Sequence, residues 1–103
     1  MSTPRLPPIT EKEFQAQIVK LAKIIGFEVY HTWNSRHSAK GFPDLVLVRP
    51  PQLLFLEVKT EKGKLTVEQA RWIAALMACD QEVYLVRPSN WPQIEAILKG
   101  VES

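Results

Sequence analysis

The sequence predicts an α/β fold in three layers, and three observations carry that expectation. Two threonine-headed capping boxes, Thr10 with Glu13 and Thr66 with Gln69, start helices at well-separated points in the chain. Between them lie two runs, 44–48 (DLVLV) and 53–60 (LLFLEVKT), that are apolar on both faces, as central strands covered by helices on either side should be. A length of 103 residues with 46% apolar and 23% charged residues fits one soluble globular domain and excludes the disordered and fibrous classes.

Residues 1–9 hold three of the eight prolines and have no periodicity, so they read as a flexible arm ahead of a single domain over 10–103. The first helix runs from the Thr10 cap to Gly26, a natural left-handed terminator. Phe14, Ile18, Leu21, Ala22 and Ile25 form its apolar stripe at helical spacing. FEVYHTW (27–33) is rich in aromatic and β-branched residues and reads as a strand, followed by the polar loop NSRHSAKG. The runs 44–48 and 53–60 are joined by Arg49-Pro50-Pro51-Gln52 and read as a hairpin; EKGK is a turn. A second helix extends from Thr66 to about Cys79, EVYLV (82–86) is a strand, and Asn90 to Lys99 is a last helix that tolerates Pro92 in its first turn. The order is helix, three strands, helix, strand, helix.

A net charge of +2 is too small to imply a polyanionic partner by itself, but the charge is unevenly placed. From His31 to Lys64 six Lys or Arg face three acids, against seven and eight in the remainder. The single cysteine, Cys79, sits in the run WIAALMAC and reads as a buried small hydrophobe in a reducing compartment. With neither a signal-like segment nor a membrane-spanning run, a cytoplasmic protein is expected. A core this small also makes a homodimer a useful way to cover leftover apolar surface.

Chemistry concentrates on the hairpin. Asp44 opens one strand after Gly41-Phe42-Pro43, and the adjacent strand carries Glu57-Val58-Lys59. Period-two alternation puts Glu57 and Lys59 on one face, and Leu54, Leu56 and Val58 on the other. Ionisable groups at the end of a doubly buried strand are costly unless paired or bound to something. Two carboxylates beside a lysine suit a hard divalent cation such as Mg²⁺, which takes oxygen ligands and keeps several waters. Asp44 and Glu57 would hold the ion, with the Val58 carbonyl as backbone ligand, and Lys59 would orient the attacking water and oppose charge on a phosphate.

Gly41-Phe42-Pro43-Asp44 followed by Glu57-Val58-Lys59, within this element order, resembles the PD-(D/E)XK nuclease superfamily, and in detail its small stand-alone VRR-NUC domains of phages and bacteria. The likeness spans residue 10 to the last helix. It implies a three-layer nuclease fold with a mixed central sheet and hydrolysis of DNA phosphodiesters with Mg²⁺ or Mn²⁺. Asp44, Glu57 and Lys59 match the central motif, and the element order favours a metal site over a structural ion-pair network. The family's acid in the first helix falls on Glu11 or Glu13; Glu11 shares the inward stripe, whereas Glu13 already caps the helix. The family's glutamine in the second helix matches Gln69, which the capping box explains equally well.

Stand-alone members are similar to archaeal Holliday junction resolvases, which implies a homodimer that cuts four-way DNA junctions in a bacterial cytoplasm, encoded by the host or a phage. Flaps, other branched DNA or duplex ends are alternative substrates, and a non-catalytic DNA-binding module is the alternative class. Ser35, Arg36 and Lys40, ahead of the Asp44 strand, and Lys62 and Lys64, after the Glu57 strand, are candidate phosphate contacts that would fix position without reading sequence. His31 and His37 lack the ligand spacing of a zinc site and read as unremarkable. Trp33, Trp72 and Trp91 read as core or dimer-interface anchors, with base stacking open to one that is exposed.

Overall fold

The computed structural model describes residues 9–32 and 39–100. Its elements follow the expected order: α1 (Glu11–Ile25), β1 (Glu28–His31), β2 (Leu45–Arg49), β3 (Gln52–Val58), α2 (Val67–Ala78), β4 (Glu82–Val86) and α3 (Trp91–Lys99). A short 3₁₀ turn, Pro88–Asn90, leads into α3. The sheet order is β1-β2-β3-β4, antiparallel across the first three strands and parallel between β3 and β4, so the sheet is mixed. Two adjacent strands joined by a tight link must run antiparallel, whereas the α2 crossover returns the chain parallel.

The two capping boxes form as the sequence predicts. Thr10 and Glu13 exchange backbone and side-chain bonds at the head of α1, and Thr66 and Gln69 do the same at α2. Gly26 terminates α1 at φ +110°, a conformation that costs other residues and not glycine. Ile9 corrects the reading of residues 1–9 as an arm. It packs on the core one residue before the Thr10 cap, where it and Phe14 take the two positions of a hydrophobic staple. Residues 1–8 lie outside the described residues.

The two faces of the sheet are covered unequally. On one face Leu45, Leu47, Leu54, Leu56, Val58 and Val86 pack against Phe14, Ile18 and Ala22 of α1 and Ile94 and Leu98 of α3, forming one buried core. Trp91 joins that core against Phe14, with ring centroids 6.4 Å apart. Among the described residues the other face carries only α2, which packs mainly over β4. Tyr30 and Leu53 therefore stay exposed at 57% and 37%, so the third layer covers about half the sheet. This corrects Cys79, which is exposed. No residue of α2 is fully buried, and an apolar run without a second helix beside it has nothing to be buried against. Among the described residues no helix is long and apolar enough to cross a membrane.

Arg49, counted above in the basic middle of the chain, is structural. Its guanidinium lies 4.5 Å from the Phe27 ring centroid and donates to the Ile25 carbonyl at 3.1 Å and the Leu98 carbonyl at 3.0 Å. Those oxygens belong to the last turns of α1 and α3, where helix carbonyls have no partner within the helix. A planar, forked cation at the negative ends of two helices satisfies both at once. Replacing Arg49 with Met is expected to lower unfolding free energy by about 2–4 kcal/mol in urea titrations. Arg49→Lys should recover less than half of that, because one ammonium cannot span both helix ends; full recovery by lysine would show that charge alone, not the fork, matters here.

Candidate metal centre

The centre is built where β2 begins and β3 ends. The register pairs Leu45 with Leu56, which sets Asp44 opposite Glu57. The Asp44 backbone is fixed from the other side, since its carbonyl accepts from the Thr32 amide at 2.9 Å and the Thr32 hydroxyl donates to the Pro43 carbonyl at 2.7 Å. Its side chain takes over the ladder: Asp44 Oδ2 accepts the Val58 N–H at 2.8 Å. The Lys59 N–H turns the other way, to the Val86 carbonyl of β4 at 3.0 Å. A residue in a strand sends its N–H and C=O to the same edge, so the Val58 carbonyl leaves β3 on the Asp44 side.

Glu57 lies on the face opposite Leu56 and Val58, and it is fully buried. Its Oε1 accepts from Gln69 Nε2 at 3.1 Å, while Oε2 is buried without a hydrogen-bond partner. Burial raises the Glu57 pKa to about 8; the nearby Asp44 carboxylate adds to the rise by hydrogen bonding and by repulsion, Lys59 opposes it, and the Glu11 charge adds the smallest part. A carboxyl so placed needs a proton it can donate toward Asp44, or a cation. Among the described residues no three His, Cys, Asp or Glu side chains converge as a metal cage. A cation here would rest on two carboxylates, a backbone carbonyl and water, which is how Mg²⁺ is usually held. The orphaned Oε2 fits that donor set.

Gln69 has both of the roles the sequence left open. Its amide oxygen accepts from the Thr66 N–H at 2.9 Å within the capping box, and its amide nitrogen donates to Glu57. Of the two first-helix acids, Glu13 is committed to Thr10, whose bonds hold its carboxyl below the usual range. Glu11, exposed at the start of α1, is the one whose charge reaches Glu57. Lys59 is half-buried beside the pair; Lys40, Lys62 and Lys64 are exposed around it. Ser35 and Arg36, with Trp33 and His37, lie outside the described residues. His31 is hydrogen-bonded to Gln15 across α1 and β1.

Several residues that shape the centre escape a reading of the sequence. Gly41, at φ +92°, is pressed so closely on α2 that a Cβ there would meet the Glu68 carbonyl carbon at 2.5 Å. Phe42 stacks edge-on between Phe55 and Trp72, at 6.0 and 5.0 Å, and so fastens the Asp44 approach to both β3 and α2. Arg87 donates from Nη1 to the carbonyls of Thr60, Glu61 and Gly63, and Glu61 accepts from the backbone and hydroxyl of Ser89. The turn that follows Lys59 is thereby tied to the end of β4. Only Gly41 and Phe42 carried a sequence signal, as members of the motif that precedes Asp44.

The VRR-NUC domain family model matches residues 5–90. A solved structure described as a VRR_NUC domain protein is similar in fold, with a TM-score of 0.68 at 19% identity over 94% of this chain and 98% of that one. No curated protein matches the chain.

The buried carboxyl makes stability depend on pH. An unfolded glutamate ionises near 4.5, whereas Glu57 keeps its proton to about 8, so the unfolded chain releases the proton first. The metal-free protein should therefore lose stability as pH rises through that window. Glu57→Gln should remove this loss and melt higher than the wild type at pH 8, with each kcal/mol worth about 4–8 °C in a domain of this size. The difference between the two melting curves isolates Glu57 from the histidines; parallel curves from pH 5 to 8 would show that Glu57 ionises normally.

Proposed function

The chain belongs to the VRR-NUC domain family, a nuclease-type domain, and we propose that it is a Mg²⁺- or Mn²⁺-dependent endonuclease acting on branched DNA, most specifically on four-way junctions. The observation that carries this reading is the fully buried Glu57 set beside the half-buried Asp44, with one Glu57 oxygen lacking a donor among the described residues. Such a pair is unfavourable without a cation and well matched to one.

Asp44, Glu57 and the Val58 carbonyl would hold the ion, with Glu11 near enough to contribute through water. When bound, a divalent ion lowers the pKa of a coordinated water and offsets charge growing on the scissile phosphate. Lys59 orients the attacking water and opposes the phosphate charge from the same side as Glu57. Gln69 fixes the Glu57 rotamer by holding one of its two oxygens. Lys40, Lys62 and Lys64, exposed on the segments that flank the centre, supply phosphate contacts of the kind that position DNA without reading it. Ser35 and Arg36 belong to the same proposed track, outside the described residues.

The homodimer is supported by the half-sheet that α2 leaves uncovered, where Tyr30 and Leu53 are exposed. A symmetric junction needs paired nicks, which two copies related by a two-fold axis could place on opposed strands.

Four-way junctions incubated with the protein and Mg²⁺ or Mn²⁺ should be nicked, and excess chelator should stop the reaction. Asp44→Asn, which keeps an acceptor for Val58, and Lys59→Ala should each slow nicking by about a hundredfold or more while leaving junction binding measurable. Faster cutting of flaps or duplex ends in a side-by-side comparison would move the substrate assignment. Cutting that survives chelation, or normal cutting by both variants, would overturn the metal mechanism, and junction binding without any cutting would leave a binding module.

A further inference from the structure

An open groove of about 420 Å³ lies beside the metal centre, lined by Ala39 and Lys40 on one wall and by Glu68, Arg71, Trp72 and Ala75 of α2 on the other. Its size falls in the range of about 300–1,000 Å³ typical of small-molecule sites. The walls are locked together. Trp72 Nε1 donates to the Lys40 carbonyl at 3.0 Å, Trp72 stacks on Phe42, and Gly41 abuts the first turn of α2. The two cations are uncommitted: among the described residues neither the Lys40 ammonium nor the Arg71 guanidinium has an ion-pair or hydrogen-bond partner, although Glu68 lies one turn before Arg71.

The groove starts beside Gln69, whose amide touches Glu57. From Gln69 to Ala75 the helix rises about 9 Å at 1.5 Å per residue. That is two to three steps along a stacked nucleic-acid strand at about 3.4 Å each. Two free cations flanking a half-exposed tryptophan make the standard combination for single-stranded nucleic acid, in which charge follows the backbone and an aromatic ring receives a base. A paired base has its π-faces covered by its neighbours, so only an unpaired one can use Trp72 this way.

We propose that this groove is a subsite for an unpaired nucleotide of the strand being cut, with its phosphate between Lys40 and Arg71 and its base against Trp72. The subsite deepens the nuclease reading and rests on it. It gives the enzyme a physical reason to prefer branched over linear DNA, since unpaired or splayed nucleotides occur at branch points and not within a duplex.

The test uses the full chain in EDTA with fluorescein-labelled dT12 and a 12-base-pair blunt duplex, read by anisotropy over a salt series. Arg71→Glu, at an exposed position, should weaken dT12 binding several-fold and reduce its salt slope by roughly one. Trp72→Phe, which retains stacking on Phe42, should weaken it several-fold. Duplex affinity should change far less, and the Mn²⁺-induced rise in melting temperature should be unaffected in every variant. Unchanged dT12 affinity, or an equal loss on both probes, would overturn the subsite while that Mn²⁺ response left the metal centre standing. A wild-type protein whose melting temperature ignores Mn²⁺ would instead overturn the nuclease reading beneath it. If Trp72→Phe unfolds, Arg71→Glu decides alone.

Discussion

A carboxyl group sealed from water beside the Asp44 carboxylate, with one oxygen that no described group donates to, is the constraint around which this small fold is arranged. Placing Glu57 on the α2 face of β3 opposes the ordinary preference of a central strand for apolar side chains. The strand meets that cost in two steps. Gln69 supplies one donor from the helix above, and Asp44 diverts its own carboxylate to the Val58 amide, so that the strand end stays hydrogen-bonded where β2 stops. Neither contact cancels the charge. What remains is a set of oxygen donors of the chemical kind that suits a hard cation.

Rigidity around that pair comes from elements that carry no catalytic group. Thr32 holds the Asp44 backbone from β1, Phe42 binds its approach to both the sheet and α2, and Arg87 ties down the turn after Lys59. Asp44 and Glu57 are thus each positioned by a neighbour on a different element. Precision of this kind matters because reacting groups displaced by about 1 Å lose much of their effect. A thin third layer is compatible with this, since the aromatic stack of Phe55, Phe42 and Trp72 fixes α2 where it meets the site and leaves its far end exposed.

Much of this was legible in the sequence because short-range rules carried it. Alternation alone separated Glu57 from Leu56 and Val58, and Thr10 and Thr66 announced two helices to the residue. What failed depended on partners far along the chain. Cys79 sits in a run as apolar as any core segment, but burial requires a neighbour, and α2 has sheet on one side and none of the described helices on the other. Gln69 posed a false choice, because a primary amide has two ends and the structure uses both. Arg49 and Arg87 were invisible as structural residues. Nothing local to them says that helix ends or a turn from elsewhere in the chain will present carbonyls there.

That last failure changes how the charge of the protein should be read. Counting cations between His31 and Lys64 suggests a basic segment, yet Arg49 in that segment is spent on two helix ends, and Arg71 from outside it stands opposite Lys40. Arg49 and Arg87 turn inward to forks of carbonyl oxygens, whereas Lys40, Lys62 and Lys64 are exposed. The division follows the chemistry of the two side chains. A guanidinium presents fixed, planar donors suited to several acceptors at once, and an ammonium is a hydrated point charge on a long stem. A surface furnished mainly with lysines attracts phosphate from any sequence. Such a surface can select DNA by shape, because what distinguishes one substrate from another is then how its backbone and its unpaired bases reach a rigid site.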